Sequence, residues 1–99
     1  MPWYGRAWST KTAELGSKTR RSYKYIQPST ASYRVSVPRV ASAGRHYEGT
    51  QAAAWSVYRS RACETCPLSW RQLWYDDVDS VRAKAGFARR KGLRGVGIW

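Results

Sequence analysis

The chain has 99 residues, 42% of them hydrophobic, and a formal net charge of +12 from 18 basic and 6 acidic side chains. This length suits one small domain or part of one, and no stretch approaches the roughly 20 apolar residues that span a bilayer. The basic residues are spread along the chain rather than gathered in long runs, so nucleic-acid binding, which positive charge and aromatic residues can indicate, is not favoured.

The first predicted element is a strand over residues 3–8, a segment rich in aromatic side chains. Because alternate residues of a strand share a face, three large side chains lie together on one side: Tyr4, Arg6 and Trp8. Two polar-tipped side chains next to a glycine indicate that this face meets something other than an ordinary apolar core.

The middle of the chain predicts a small mixture of helix and strand. It is polar at first and then contains short apolar runs separated by Gly and Pro. Alternation of apolar and polar residues in these runs is typical of strands. The predicted elements are a short strand near Ser22–Ile26, a strand over Tyr33–Val37 closed by Pro38, a short helix or turn over residues 39–50 ending near Gly44, and a strand over Ala52–Tyr58.

The two cysteines, Cys63 and Cys66, have a spacing that fits half a zinc site or a redox pair. A four-ligand zinc site would need a second pair of ligands, and only His46 remains. Pro67 indicates a loop, whereas a redox pair of the thioredoxin type would begin a helix. The sequence therefore predicts no metal site and leaves two alternatives open, a local disulfide or two free thiols, with the disulfide favoured only in an exported protein.

The last third of the chain predicts a strand, a helix and a second strand. The first strand covers Trp70–Tyr75, and the helix covers Val78–Lys91, with Asp77 as its N-cap and Gly92 just beyond its end. Apolar residues at helical spacing form one narrow stripe: Val78, Val81, Ala85 and Ala88. A buried strand over Leu93–Trp99 follows at once, as in a unit of two parallel strands joined by a helix.

The chain begins and ends inside strand-like segments, so we expect it to be a piece of a larger α/β fold. In barrels of this class, active sites gather at the carboxyl ends of the strands, where Trp99, Tyr4 and Arg6 would lie. An indole covers the apolar face of a sugar ring, while Tyr and Arg hydrogen-bond its polar groups. The alternatives are that Trp99 belongs to the core and that Tyr4 and Arg6 form a structural pair.

Three motifs occur in a fixed order: Pro-Trp-Tyr-Gly-Arg at residues 2–6, Tyr-Asp-Asp at residues 75–77, and Gly-Leu-Arg-Gly-Val-Gly-Ile-Trp at residues 92–99. Together they resemble the end of glycoside hydrolase family 18, the chitinase-like family. The segment Trp-Arg-Gln-Leu at residues 70–73 is similar to bacterial members in particular.

This resemblance implies an α/β fold. The chain would be a partial (β/α)8 TIM barrel, comprising the last two strands and the helix between them, with a small α+β insertion. Residues 1–8 would be barrel strand 7, residues 9–69 the insertion and its loops, and residues 70–99 the final helix and barrel strand 8. The whole would be a single incomplete domain of a secreted or cell-envelope parent.

The resemblance also implies a function. The family cleaves β-1,4-linked N-acetylglucosamine polymers with help from the substrate's own acetamido group, and needs no cofactor. Trp99 would form the floor of the subsite for the reacting sugar, and Tyr4 and Arg6 would line the same cleft. The partner would be a polysaccharide or oligosaccharide containing N-acetylglucosamine, whether chitin, peptidoglycan or a glycoprotein glycan.

The family's acid is a Glu that ends an Asp-x-x-Asp-x-Glu motif, and this chain lacks that motif. We therefore assign no catalytic residue and predict that the chain alone is inactive. The pair Asp76-Asp77 is interpreted as helix capping rather than as a catalytic pair. Two other hypotheses are a small basic protein that stacks bases or sugars on its aromatic residues, and a nonfunctional remnant with exposed strand edges.

Overall fold

A computed structural model, which describes residues 4–98, shows a five-stranded antiparallel sheet with two helices. The strands are β1 (Tyr4–Thr10), β2 (Ser29–Ser32), β3 (His46–Glu48), β4 (Ala53–Ser60) and β5 (Ser69–Tyr75), and the helices are α1 (Tyr33–Ala43) and α2 (Val78–Arg90). The spatial order is β2-β1-β5-β4-β3. The strand at the start of the described chain therefore pairs with β5 near its end, inside the sheet.

Helix α1 packs on one face of the sheet and closes a small apolar core. Leu73 of β5 and Ala7 of β1 lie opposite each other in the register, and both are buried with Val40 of the helix. Alternate residues of the same strands point to the opposite face. That second face is partly covered by the loop that follows β1, because the Gln72 side chain donates to the Glu14 carbonyl at 2.8 Å.

Four predicted elements are confirmed. The strands over residues 3–8, 52–58 and 70–75 correspond to β1, β4 and β5 over their described residues, and the helix over Val78–Lys91 corresponds to α2. The Asp77 carboxylate caps that helix by accepting from the Ser80 backbone N–H at 2.9 Å. Gly92 follows the helix with φ +68°, in the left-handed region that favours glycine.

The predicted strand over Tyr33–Val37 is wrong, because these residues begin helix α1. The buried positions of this helix are Ser36 and Val40, with Tyr33 partly buried, whereas Val35 and Val37 are exposed. The residues that face the sheet therefore have helical spacing, but one of them is a serine. The alternation of Val35 and Val37 with polar residues resembles a strand, although both valines are exposed. The predicted helix or turn over residues 39–50 is correct as far as the helix end at Gly44.

Two further predicted strands are not observed. Residues 22–26 form a turn, with the Tyr25 N–H donating to the Ser22 carbonyl at 2.9 Å. Residues 93–98 form no strand, and Leu93, Val96 and Ile98 are exposed. A strand requires a neighbouring strand for its backbone hydrogen bonds, and the described residues place none beside this segment. Trp99 lies outside the described residues.

The arrangement of the described strands is not barrel-like. All four strand pairings are antiparallel, whereas neighbouring strands of a (β/α)8 barrel are parallel. The expectation of an α/β fold holds only in the sense that the chain combines helices with a sheet, because the sheet itself is antiparallel. The division into residues 1–8, 9–69 and 70–99 stays a prediction, and the observed sheet takes strands from all three segments.

Two smaller observations complete the fold. Cys63 and Cys66 form a disulfide in the loop between β4 and β5, which was one of the two alternatives left open by their spacing. Within residues 4–98, no helix combines the length and the hydropathy needed to cross a membrane.

A glycine in β1 lies where strand and helix approach each other closely. A Cβ atom added to Gly5 would lie 2.8 Å from Ser36 Oγ and 3.0 Å from Leu73 Cδ1. We expect Gly5→Ala to lower the free energy of unfolding by about 1–2 kcal/mol, because overpacking must displace the helix or the strand. Urea unfolding of the two chains measures this difference.

The matched control for this change is Gly49→Ala. A Cβ atom on Gly49 would meet nothing within 4 Å, so this substitution should change the free energy of unfolding by less than about 0.5 kcal/mol. Equal effects of the two substitutions would contradict the close approach of α1 to β1.

Candidate functional site

A row of side chains crosses the sheet on the face opposite α1. In the register, His46 of β3 lies opposite Trp55 of β4, Trp55 opposite Trp74 of β5, and Trp74 opposite Arg6 of β1. The Trp55 and Trp74 rings are stacked, with centroids 5.2 Å apart and planes 9° apart. The His46 and Trp55 ring centroids are 4.7 Å apart. We call these four residues the aromatic row.

A pocket of about 550 Å³ lies at the Arg6 end of the aromatic row. Its base is formed by β1 and β5 and its rim by the loop after β1. One wall is formed by Asp76, just before α2, and by Lys84 in the middle of that helix. The strand residues that line it are Tyr4, Arg6, Trp8, Thr10, Ala53, Gln72, Trp74 and Tyr75. We call it the aromatic pocket.

Hydrogen bonds fix the indole of Trp74 in this pocket. Trp74 Nε1 donates to Gln72 Oε1 at 3.1 Å, and Gln72 Nε2 donates to the Glu14 carbonyl at 2.8 Å. The Arg6 guanidinium lies 5.9 Å from the Trp8 ring centroid, within the range of a cation–π contact. The base of the aromatic pocket therefore combines oriented, half-buried indoles with the polar tips of Tyr4 and Arg6, which are exposed.

The two adjacent aspartates have different roles. Asp77 caps α2, as predicted, and its carboxylate also accepts from Ser80 Oγ at 3.0 Å and from Arg45 Nε at 2.7 Å. Asp76 does not cap the helix, which corrects the interpretation of both residues as capping groups. Its carboxylate forms an ion pair with Lys84 at the wall of the aromatic pocket.

The charge state of Asp77 follows from its surroundings. Burial alone would raise the pKa of its carboxyl, but the Arg45 guanidinium and the Ser80 donors outweigh that effect and hold the pKa below its ordinary value of 3.8. The same contact raises the pKa of Arg45. Asp77 therefore stays ionised as the folded protein is acidified below the pH at which it protonates in the unfolded chain.

We expect Asp77→Ala to lower the free energy of unfolding by about 1.5 kcal/mol at pH 7, because α2 loses its N-cap and the Arg45 contact. A folded-state pKa below the unfolded value contributes stability above that unfolded value and loses it as the pH falls through the folded pKa. The difference between the two chains should therefore shrink below about pH 4. Urea unfolding at several pH values measures it.

Asp77→Asn is the control for this prediction. Because asparagine is a good N-cap, this variant should keep most of the stability at pH 7. Because asparagine is uncharged, it lacks only the contribution of the Asp77 charge. A difference between wild type and Asp77→Ala that is as large at pH 3 as at pH 7 would contradict the role of the Asp77 charge.

The structure brings two of the three predicted site residues together. Tyr4 and Arg6 both line the aromatic pocket, whereas Trp99 lies outside the described residues. The sequence did not identify Gln72 and Trp74 as their neighbours, although alternation over residues 70–75 would have placed both on one face. Their pairing with β1 depends on a register that one sequence does not reveal. Among residues 4–98, no group of three His, Cys, Asp or Glu side chains could hold a metal ion.

Comparison with known proteins supports the family resemblance. No protein-family model matches the chain. Di-N-acetylchitobiase from Mus musculus is 26% identical over an alignment of 109 residues. The alignment covers 100% of this chain and 28% of that protein. Di-N-acetylchitobiase from Rattus norvegicus is 50% identical over 28 residues, which cover 28% of this chain and 8% of that protein.

Solved structures agree in fold. The class V chitinase from Nicotiana tobaccum matches 99% of this chain and 27% of its own, with a TM-score of 0.65 and 18% identity. The resemblance to the chitinase-like glycoside hydrolases of family 18 is confirmed. The spore cortex-lytic enzyme SleL from Bacillus megaterium matches 100% of this chitinase-like chain and 20% of its own, with a TM-score of 0.67 and 20% identity.

A third solved structure matches the chain over a similar part of its own length. The sporulation-specific glycosylase ydhD from Bacillus subtilis matches 100% of this chain and 28% of its own, with a TM-score of 0.68 and 18% identity. This chitinase-like chain thus spans about a quarter of the length of the proteins that it resembles.

Proposed function

We propose that this chain supplies one wall of the sugar-binding cleft of a chitinase-like glycosidase that acts on β-1,4-linked N-acetylglucosamine polymers. The observation that carries the proposal is the aromatic pocket, where Tyr4 and Arg6 lie beside the half-buried indoles of Trp8 and Trp74. The similarity to di-N-acetylchitobiase supports an N-acetylglucosamine ligand.

The chemistry of the aromatic pocket suits a pyranose ring. Indoles offer a flat apolar surface to the C–H face of a sugar. Arg6 offers donors to hydroxyl or acetamido oxygens, while the Tyr4 hydroxyl can donate or accept. In this proposal Trp99 forms the floor of the adjacent subsite, and residues 1–8 and 70–99 belong to the last part of a barrel that further chain would complete.

In the same proposal the catalytic acid comes from elsewhere. The chain has six carboxylates and no Asp-x-x-Asp-x-Glu motif. Asp76, the carboxylate that lines the aromatic pocket, is engaged in an ion pair with Lys84, so we do not assign it as the acid. The chain alone should therefore release no fluorophore from 4-methylumbelliferyl chitobioside, whereas measurable release would contradict this assignment.

Titration of the 99-residue chain with chitotetraose, followed by tryptophan fluorescence and calorimetry, tests the binding proposal. We expect saturable binding, and Arg6→Gln should weaken it about tenfold, because a hydrogen bond from a charged donor is lost. Arg59→Gln is the matched control, because Arg59 lies over Trp70 and outside the lining of the aromatic pocket.

Salt dependence separates a sugar ligand from a nucleic acid. Binding of an uncharged oligosaccharide should change little with salt, whereas phosphate contacts would make the affinity fall steeply. A folded chain that binds a single-stranded oligonucleotide with a steep salt dependence and does not bind chitotetraose would refute the sugar proposal.

A further inference from the structure

A second pocket, of about 370 Å³, lies on the α1 side of the sheet. It is separated from the aromatic pocket by the sheet itself, since its lining residues on β5 are Arg71 and Leu73 rather than Gln72 and Trp74. Its polar lining includes Arg39 of α1, Tyr58 of β4 and Ser29 of β2. We call it the arginine pocket.

The first unusual feature of the arginine pocket is the buried charge of Arg71, which is only 4% exposed. Its guanidinium donates to the carbonyls of Ile26 and Gln27, both at 3.1 Å, and to Ser29 Oγ at 2.6 Å and Ser9 Oγ at 3.4 Å. All four acceptors are neutral. No carboxylate belongs to the lining of this pocket, although buried charges in proteins are usually paired with an opposite charge.

A second guanidinium faces the same space. Arg39 Nη1 donates to the Tyr58 hydroxyl at 3.4 Å, and its guanidinium lies 5.3 Å from the centre of the Tyr58 ring. Burial lowers the pKa of Arg71, and repulsion from Arg39 adds a smaller effect in the same direction. Tyr58 lies opposite Arg71 in the register of β4 and β5, so two arginines flank one tyrosine in a pocket whose lining includes no carboxylate.

The hydroxyls of the arginine pocket are free to donate into it. The Tyr58 oxygen accepts from Arg39, and Ser29 Oγ accepts from Arg71. A hydroxyl that accepts one hydrogen bond still has its own proton to donate. The arginine pocket thus offers the Arg39 guanidinium and at least two hydroxyl donors to an anion. The four terminal N–H groups of Arg71 are already donated within the protein, so Arg71 contributes its positive charge.

We propose that the arginine pocket binds a phosphate group, either as inorganic phosphate or as the terminal group of a phosphate monoester. An arginine fork such as that of Arg39 can match phosphate oxygens in a bidentate manner. A tetrahedral oxyanion has enough oxygens for this fork and for both hydroxyls, whereas a carboxylate has two. An anion there would also neutralise the repulsion between Arg39 and Arg71.

The test is a titration of the 99-residue chain with sodium phosphate at constant ionic strength, followed by the thermal unfolding midpoint and by amide chemical shifts. We expect a saturable rise of the midpoint, with shifts at residues 29–32 and 58–60. Arg39→Gln should weaken phosphate binding at least tenfold. It should lower the midpoint without phosphate only slightly, since Arg39 is exposed and its long hydrogen bond and cation–π contact with Tyr58 contribute little there. Tyr58→Phe should weaken phosphate binding less.

The matched control is Arg34→Gln, which removes an exposed arginine of the same helix that does not line the arginine pocket. Equal losses in the Arg34 and Arg39 variants, or acetate as effective as phosphate, would overturn the proposal. Glycerol 3-phosphate serves as the monoester probe: tighter binding than that of inorganic phosphate assigns the site to an esterified phosphate, and equal or weaker binding assigns it to the free ion. Neither arm depends on sugar binding in the aromatic pocket.

Discussion

Replacing Arg71 by methionine is expected to lower the free energy of unfolding by about 3 kcal/mol. The Arg71 guanidinium ties the loop before β2 to the middle of the sheet through the carbonyls of Ile26 and Gln27 and through Ser29 Oγ. Methionine keeps much of the side-chain volume but donates no hydrogen bond. The loss is partly offset because a charge no longer has to be buried.

Two measurements distinguish this role from a general loss of stability. Urea unfolding gives the difference in free energy, and limited trypsin digestion reports on the loop, where Lys24 is exposed. We expect cleavage after Lys24 to accelerate in Arg71→Met before the sheet unfolds. Arg59→Met on neighbouring β4 is the control, and its cost should stay below about 1 kcal/mol. Equal stability of the Arg71 variant and wild type would refute the role of Arg71 in holding the loop.

The role of Arg71 shows why part of this structure was not accessible from the sequence. An arginine in an otherwise aromatic strand resembles a surface residue, since long charged side chains are rarely buried. Its partners on the loop lie more than 40 positions earlier in the chain. No local pattern joins them, so only the pairing of β1 with β5 reveals the contact.

Elements with local signals were predictable. Helix α2 has an N-cap in Asp77, basic residues in its last turn and a glycine after its end, and these signals agree with one another. The predicted apolar stripe of this helix is wrong, because its buried positions are Ser80 and Ala88 while Val78 is exposed. Helix α1 lacks such agreement. Its most buried positions are Ser36 and Val40, so a polar residue occupies the inward face and the apolar stripe is too weak to recognise.

The candidate site was predictable in part, because one of its strands carries a local signal. Alternation along one strand placed Tyr4 and Arg6 on a common face, and both line the aromatic pocket. The stack of Trp55 on Trp74 joins two strands whose register is set by long-range pairing. The segment over residues 93–98 shows the opposite case. Its alternating pattern indicates a strand, but a strand also needs a partner, which a local pattern does not reveal.

The largest effect of a single core substitution is expected at Leu73. Leu73 is 1% exposed, and it and Val40 are the largest fully buried side chains among residues 4–98. Most other fully buried positions are small, such as Ser9 and Ser56. Leu73→Ala should therefore lower the free energy of unfolding by about 3 kcal/mol, because neighbours this small cannot collapse into the cavity. Urea unfolding measures the loss.

Leu73→Met and Leu93→Ala are the matched controls. Methionine nearly conserves the volume and should cost less than about 1.5 kcal/mol, while Leu93 is exposed and its truncation should cost less than about 0.5 kcal/mol. A similar loss for Leu73→Ala and Leu93→Ala would contradict a core centred on β5.

Leu73 also separates stability from binding, because alternate residues of β5 serve opposite faces of the sheet. Gln72 and Trp74 line the aromatic pocket, whereas Leu73 points to the core and to the arginine pocket. At temperatures where the variant stays folded, Leu73→Ala should therefore bind chitotetraose with the affinity of wild type, while Trp74→Ala should bind it about tenfold more weakly. An equal loss of sugar affinity in both variants would mean that the two faces of β5 are not independent.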